Sequence, residues 1–99
     1  MKLTTLIIAD PDSNNAQSLA ANCERLAKSV LVCPTGSETL KAINKHSPSM
    51  LLLSLEITRP NPLKLVRKLR QKHPNMLIVG IYRELAMPVI EQFQQWNLK

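Results

Sequence analysis

The sequence predicts an α/β fold, an open parallel sheet flanked by helices, on three observations. Short β-prone apolar runs alternate with segments whose apolar residues recur every three or four positions, the periods of strand and helix. The connections between them are short and carry Pro48, Pro60, Pro62 and Pro74. The stretch MLLLSLE, residues 50–56, is apolar without alternation up to Ser54, the pattern of a parallel strand buried on both faces. Such a strand delivers one side chain to the carboxyl edge of the sheet, where open α/β folds place their sites. With 99 residues the chain has material for one core of four or five strands, and so for one domain, residues 1–99.

The elements follow in order. Leu3 to Ala9 is a short β-prone run that ends at Asp10. Asp12-Ser13 then offers a helix N-cap, followed by Ala16, Leu19, Ala20, Cys23, Leu26 and Ala27 at helical spacing. Val30 to Cys33 reads as a second strand, and Thr35 with Glu38 fits a capping box for a helix carrying Leu40 and Ile43 inward. Pro48 ends that helix before the third strand, Met50 to Leu53. A third helix runs from about Asn61 to Lys72, with Leu63, Val66 and Leu69 inward. After Pro74-Asn75, Met76 to Ile81 is the fourth strand. A fourth helix starts near Met87-Pro88, buries Val89, Ile90, Phe93 and Trp96, and ends at Asn97. Alternating strands and helices imply right-handed crossovers and helices on both faces of the sheet.

Composition excludes several classes. Apolar residues make up 44% of the chain and aromatic residues 3%, so the interior is built from aliphatic side chains and disorder is not expected. No apolar run approaches the roughly 20 residues of a membrane span, and the amino terminus meets acids too early for a signal peptide, which implies a cytoplasmic location and no membrane partner. Cys23 and Cys33 lack zinc-site spacing and read as small buried side chains. His46 and His73 stand next to proline-marked loops and read as solvated. The net charge of +6 is local: of 13 basic residues, Arg59, Lys64, Arg67, Lys68, Arg70 and Lys72 lie in a stretch without an acid, and the other seven equal the seven acids.

Three stretches, in order and at suitable distances, give the chain a resemblance to the receiver domain of response regulators (CheY-like). LIIADPD is similar to that family's first-strand signature, CPTGSETLKAI to its second-strand turn and helix, and SMLLLSLEITRPNPLKLVRKLR to its third strand, loop and third helix. The resemblance implies a flavodoxin-like, receiver-like sheet of order 2-1-3-4, truncated before the family's fifth strand and helix. In the family an aspartate at the end of the third strand takes a phosphoryl group beside Mg²⁺ held by an acidic pair. Here that position is Ser54, the pair is Asp10 with Pro11, and Asp12 follows. The family's switch hydroxyl falls on Tyr82. Asp10, Asp12, Ser54 and Tyr82 therefore form a degenerate phosphorylation pocket, with no metal, no cofactor and no catalytic residue expected.

What remains is binding. The resemblance implies a phosphorylation-independent module that acts by protein contact in bacterial signal transduction or transcription regulation. The alternatives are a working acceptor at Asp10 or Asp12 and a nucleic-acid binder that uses the third helix. Arg59, Lys64, Arg67, Lys68, Arg70 and Lys72 are the candidate interaction surface, set against a merely solvated helix face. The fourth strand is expected to be an open edge that supports a homo-oligomer. The apolar surface near Ala16, Ala20 and Cys23 is a second candidate contact for self-association.

Overall fold

The strand with both faces apolar takes the middle of the sheet. In the computed structural model, which describes residues 3–48, 50–59 and 61–81, β1 (Leu3–Ala9) lies between β2 (Ala27–Cys33) and β3 (Met50–Ser54). β4 (Leu77–Ile81) pairs with β3, every pairing is parallel, and the order β2-β1-β3-β4 is the expected one. Leu6 to Ala9 are at most 1% exposed, as burial on both faces requires.

Alternate side chains of the sheet feed two apolar layers. On one face Ile7, Ala9, Leu51 and Leu53 pack with Ile43 of α2 (Gly36–His46) and with Leu65, Val66 and Leu69 of α3 (Pro62–Lys72). On the other, Leu6, Ile8 and Leu52 pack with Ala16 and Cys23 of α1 (Ser13–Cys23). Both cysteines are free and buried, as expected.

Side-chain caps start each helix and so fix where the chain leaves the sheet. Asp12, Thr35 and Asn61 accept the N–H of Asn15, Glu38 and Lys64 respectively. α2 stops at Ser47, which takes a left-handed conformation with φ of 45° immediately before Pro48. The carboxyl-edge loops are tied together by the Gly36 N–H, which donates to the Thr58 carbonyl at 2.8 Å.

Four local expectations are corrected. α1 ends at Cys23, so Leu26 is 54% exposed in a turn and Ala27 opens β2; pairing of Leu3 with Ala27 extends the strand and overrides the helical spacing. On α3 the buried stripe is Pro62, Leu65, Val66 and Leu69, with Leu63 only partly buried against the same cluster, because contact with Ile7, Leu51 and Leu53 of the sheet selects that face. Ala16 and Cys23 lie in the core and Ala20 packs against it, so they do not form an open apolar surface for self-association. His46 closes α2 and is exposed, but His73 is half-buried and its Nε2 lies 3.4 Å from Asn44 Oδ1. The expected fourth helix with Val89, Ile90, Phe93, Trp96 and Asn97 lies outside the described residues, as does Tyr82.

Truncation tests this partition between core and turn. Leu53→Ala is expected to lower unfolding free energy by about 2–5 kcal/mol, and Leu26→Ala by less than about 0.5 kcal/mol, in equilibrium urea unfolding. Equal losses would place Leu26 on a buried helix face after all.

Candidate functional site at the carboxyl edge

Register brings the candidate residues together. Ala9 pairs with Leu53, so the next residues, Asp10 and Ser54, reach the carboxyl edge at the same level. Alternation sets Ser54 on the same face as Leu52, the face that α1 covers. Ser54 is paired on its other side with Ile81 of β4.

Asp10 is 2% exposed, and a buried carboxylate persists only where its oxygens are hydrogen-bonded. Here both are. Oδ1 accepts the Asp12 N–H at 2.9 Å, and Oδ2 accepts the Asn15 side-chain amide at 2.6 Å. Asp12 in turn accepts the Asn15 N–H at 3.1 Å as the N-cap of α1, so Asn15 joins both acids to the first turn of the helix. Sequence reading missed Asn15. The available signal was its place as the third residue after the N-cap, where a side chain can reach back over the loop that enters the helix.

Ser54 Oγ accepts the Glu56 N–H at 3.2 Å and so bends the chain into its own loop. To act as a nucleophile a serine needs an adjacent base. α2 and α3 start at the carboxyl edge and end at the opposite one, which carries His46 and His73 to the far end of the domain. Neither imidazole is placed to serve Ser54. An open cleft of about 290 Å³ at that far end is lined by Ser47, Pro48, His73, Pro74, Asn75 and Met76, and holds no acid.

The Mg²⁺ that the family resemblance implies does not fit these residues. Hard cations of this kind take well-placed carboxylates. Asp10 spends both oxygens on N–H donors, the Pro11 side chain has no ligand atom, and Ser54 contributes a neutral hydroxyl. Among the described residues no group of three or more His, Cys, Asp or Glu side chains is placed to hold a metal. Cys33, at the end of β2, is shifted by its surroundings: burial pushes the thiol pKa up, the Glu38 charge adds to that, and a hydrogen bond from Thr39 opposes it.

The basic residues fall into three settings. Lys64, Arg67, Lys68 and Lys72 are exposed on the outer side of α3, as expected. Arg59 is exposed in the β3–α3 loop with φ of 62°, a conformation that costs a non-glycine residue about 1–2 kcal/mol. Arg70 is different: it is half-buried, its Nη1 donates to the carbonyls of Pro74 and Met76, and burial lowers its pKa. Its visible work is to hold the turn into β4. α3 has no acid in its first turn, and Lys64 stands there against the positive end of the helix dipole. Lys64 with Lys68, and Lys68 with Lys72, are like-charge pairs at a four-residue spacing, each costing about 0.2–0.5 kcal/mol.

No protein-family model and no curated protein matches the sequence. Solved structures do match in fold. A response regulator receiver protein from Pseudomonas putida is 11% identical with a TM-score of 0.86, covering 98% of this chain and 82% of that one. A DNA-binding response regulator of the LuxR family from Staphylococcus aureus is 20% identical with a TM-score of 0.86, covering 96% and 81%. A CheY-like receiver domain protein from Methanospirillum hungatei JF-1 is 17% identical with a TM-score of 0.86, covering 97% and 77%. The fold is therefore that of response-regulator receiver domains.

Two outcomes follow from the geometry. Asn15→Ala leaves a buried Asp10 oxygen without its side-chain donor and is expected to cost about 1–3 kcal/mol in urea unfolding, while Asn15→Asp, which adds a like charge, costs more. A neutral Asn15→Ala would mean that this amide does not hold Asp10. Cys33 has a folded pKa above its unfolded value, so its stabilising contribution is complete below the unfolded value of about 8.5 and is lost as pH rises through the folded one. Stability measured between about pH 8 and 10 should fall more steeply for the wild type than for Cys33→Ala.

Proposed function

We propose that this chain is a receiver-like module that works without phosphorylation, by protein–protein contact, in signal transduction or transcription regulation. The observation that carries the reading is the state of Asp10. Its carboxylate is closed off by the Asn15 amide and the Asp12 N–H, beside a serine at the strand end where the family carries its acceptor. A carboxylate whose oxygens already hold neutral donors leaves a cation less to gain, and on this reading the domain acts through its surface. It is not an enzyme on this reading. Among the described residues no helix is long and apolar enough to cross a membrane, and a cytoplasmic site of action accords with a regulatory role.

Self-association through β4 belongs to the same proposal. β4 pairs with β3 on one side only among the described residues, and Leu77 and Val79 are 55% and 37% exposed. Partner contacts on the basic surface formed by Arg59, Lys64, Arg67, Lys68 and Lys72 are the second route. Arg70 joins that surface only through its neighbours, since its guanidinium is turned to the α3–β4 turn.

A native mass spectrum after incubation with Mg²⁺ and acetyl phosphate tests both parts. The expected spectrum holds unmodified protein, with dimer present for the wild type and reduced for Leu77→Lys. A phosphoryl adduct that disappears in Asp10→Asn or Asp12→Asn would overturn the reading and establish a working acceptor. An unmodified monomer at high concentration would remove the homo-oligomer and leave a different protein as the partner.

A further inference from the structure

We infer that the outer face of α3 is a docking surface for an acidic helical segment of a protein partner, met by the row Lys64, Lys68 and Lys72. This rests on the reading of the domain as an interaction module and names the chemistry of what it contacts. The three lysines are spaced by four residues, so on an α-helix they form a near-straight row about 12 Å long. All three are exposed, while Pro62, Leu65, Val66 and Leu69 on the opposite side are buried. Carboxylates repeated every fourth residue on a second helix would present the complementary row at the same rise per residue.

The row is not explained by the needs of α3 itself. Cations near a helix C-terminus offset the dipole, and this accounts for Lys72 and Arg70 on α3 and for Lys45 and His46 on α2. It does not account for Lys64, which sits at the end where a cation is unfavourable, or for Lys68, which faces a like charge one turn away on either side. The helix holds this repulsive face only because its other side is fixed in the core. A partner that supplies the missing anions would relieve it. α2 shares a core cluster with α3 on the same face of the sheet and carries exposed Lys41 and Lys45 together with exposed Glu38.

An acidic protein suits this face better than a nucleic acid. α3 is flanked in the chain by β3 and β4, without the adjoining helix of a helix-turn-helix that sets a reading helix in a major groove. α3 itself carries no Phe, Tyr or Trp on which unpaired bases could stack. Half-buried Leu40 and Leu63 give the layer some apolar surface among its charges, as protein interfaces have.

The test is fluorescence anisotropy at low salt with three probes: a helical peptide with Glu at every fourth position, a scrambled peptide of the same composition, and a short random-sequence DNA duplex. The full chain should bind the periodic peptide more tightly than either other probe. The variant Lys64→Gln/Lys68→Gln/Lys72→Gln should lose at least about tenfold in affinity, whereas Arg25→Gln/Lys28→Gln, with the same kind of neutralisation on the α1–β2 side, should not. Circular dichroism of both variants separates lost binding from lost fold. Tighter binding of the duplex, equal binding of the two peptides, or no binding of any probe would each overturn the assignment. None of these outcomes touches the phosphorylation result, on which the module reading stands separately.

Discussion

The structure depends on one constraint, the burial of β1 on both faces in parallel register with β2 and β3. Leu6, Ile7, Ile8 and Ala9 have no solvated side, so a slip by one residue would exchange the side chains that meet α1 for those that meet α2 and α3. That register decides which residues reach the carboxyl edge together. Ala9 opposite Cys33 and Leu53 means that Asp10, the turn before α2, and Ser54 emerge as neighbours, and that the Asp10 N–H can reach the Cys33 carbonyl at 3.0 Å. The edge is set by apolar packing several residues away, and it keeps its shape whatever chemistry the emerging side chains have.

This explains how an acid can sit buried at the edge. A buried carboxylate without partners would be strongly destabilising, so Asp10 has to be satisfied locally if no cation does it. The Asn15 amide and the Asp12 N–H supply those bonds with neutral donors from the loop and helix that follow. Asp12 is at the same time the cap of α1, so one short segment starts the helix and neutralises the need of the buried acid. Ser54 is handled in the same way by the Glu56 N–H.

Much of this was legible in the sequence, for a physical reason that also marks where legibility stopped. Runs such as LIIA and MLLLS have to be central strands because their burial is two-sided, and Asp12, Thr35 and Glu38 signal helix starts through short-range bonds. Such signals are local. The length of α1 was not local: Leu26 and Ala27 continue the helical spacing, and only the pairing of Ala27 with Leu3, far away in sequence, takes them out of it. Leu65 was missed because spacings of three and four fit more than one stripe on α3, and only packing against Ile7, Leu51 and Leu53 selects the one that includes it. Asn15 was passed over although its place as the third residue after the cap was a signal, and Arg70 was read only as one charge of the basic stretch. An amide that bonds a buried acid and a guanidinium that holds a turn look, in sequence, like any other surface polar residues.

The two candidate regions obey opposite rules. At the carboxyl edge Asp10 and Ser54 are inside the core, where an unmet hydrogen bond costs more than most single contacts contribute, so their bonds are made locally and leave little for a ligand to gain. On α3 the charges are in water, where repulsion between them is weak and screened by salt. A face of like charges can therefore be maintained at small cost by a helix whose apolar side is buried, and its unfavourable pairs become favourable once anions are brought against them. The site that resembles a known acceptor is thus the one whose bonds are already made. The surface that resembles nothing in particular is the one with interaction energy still available.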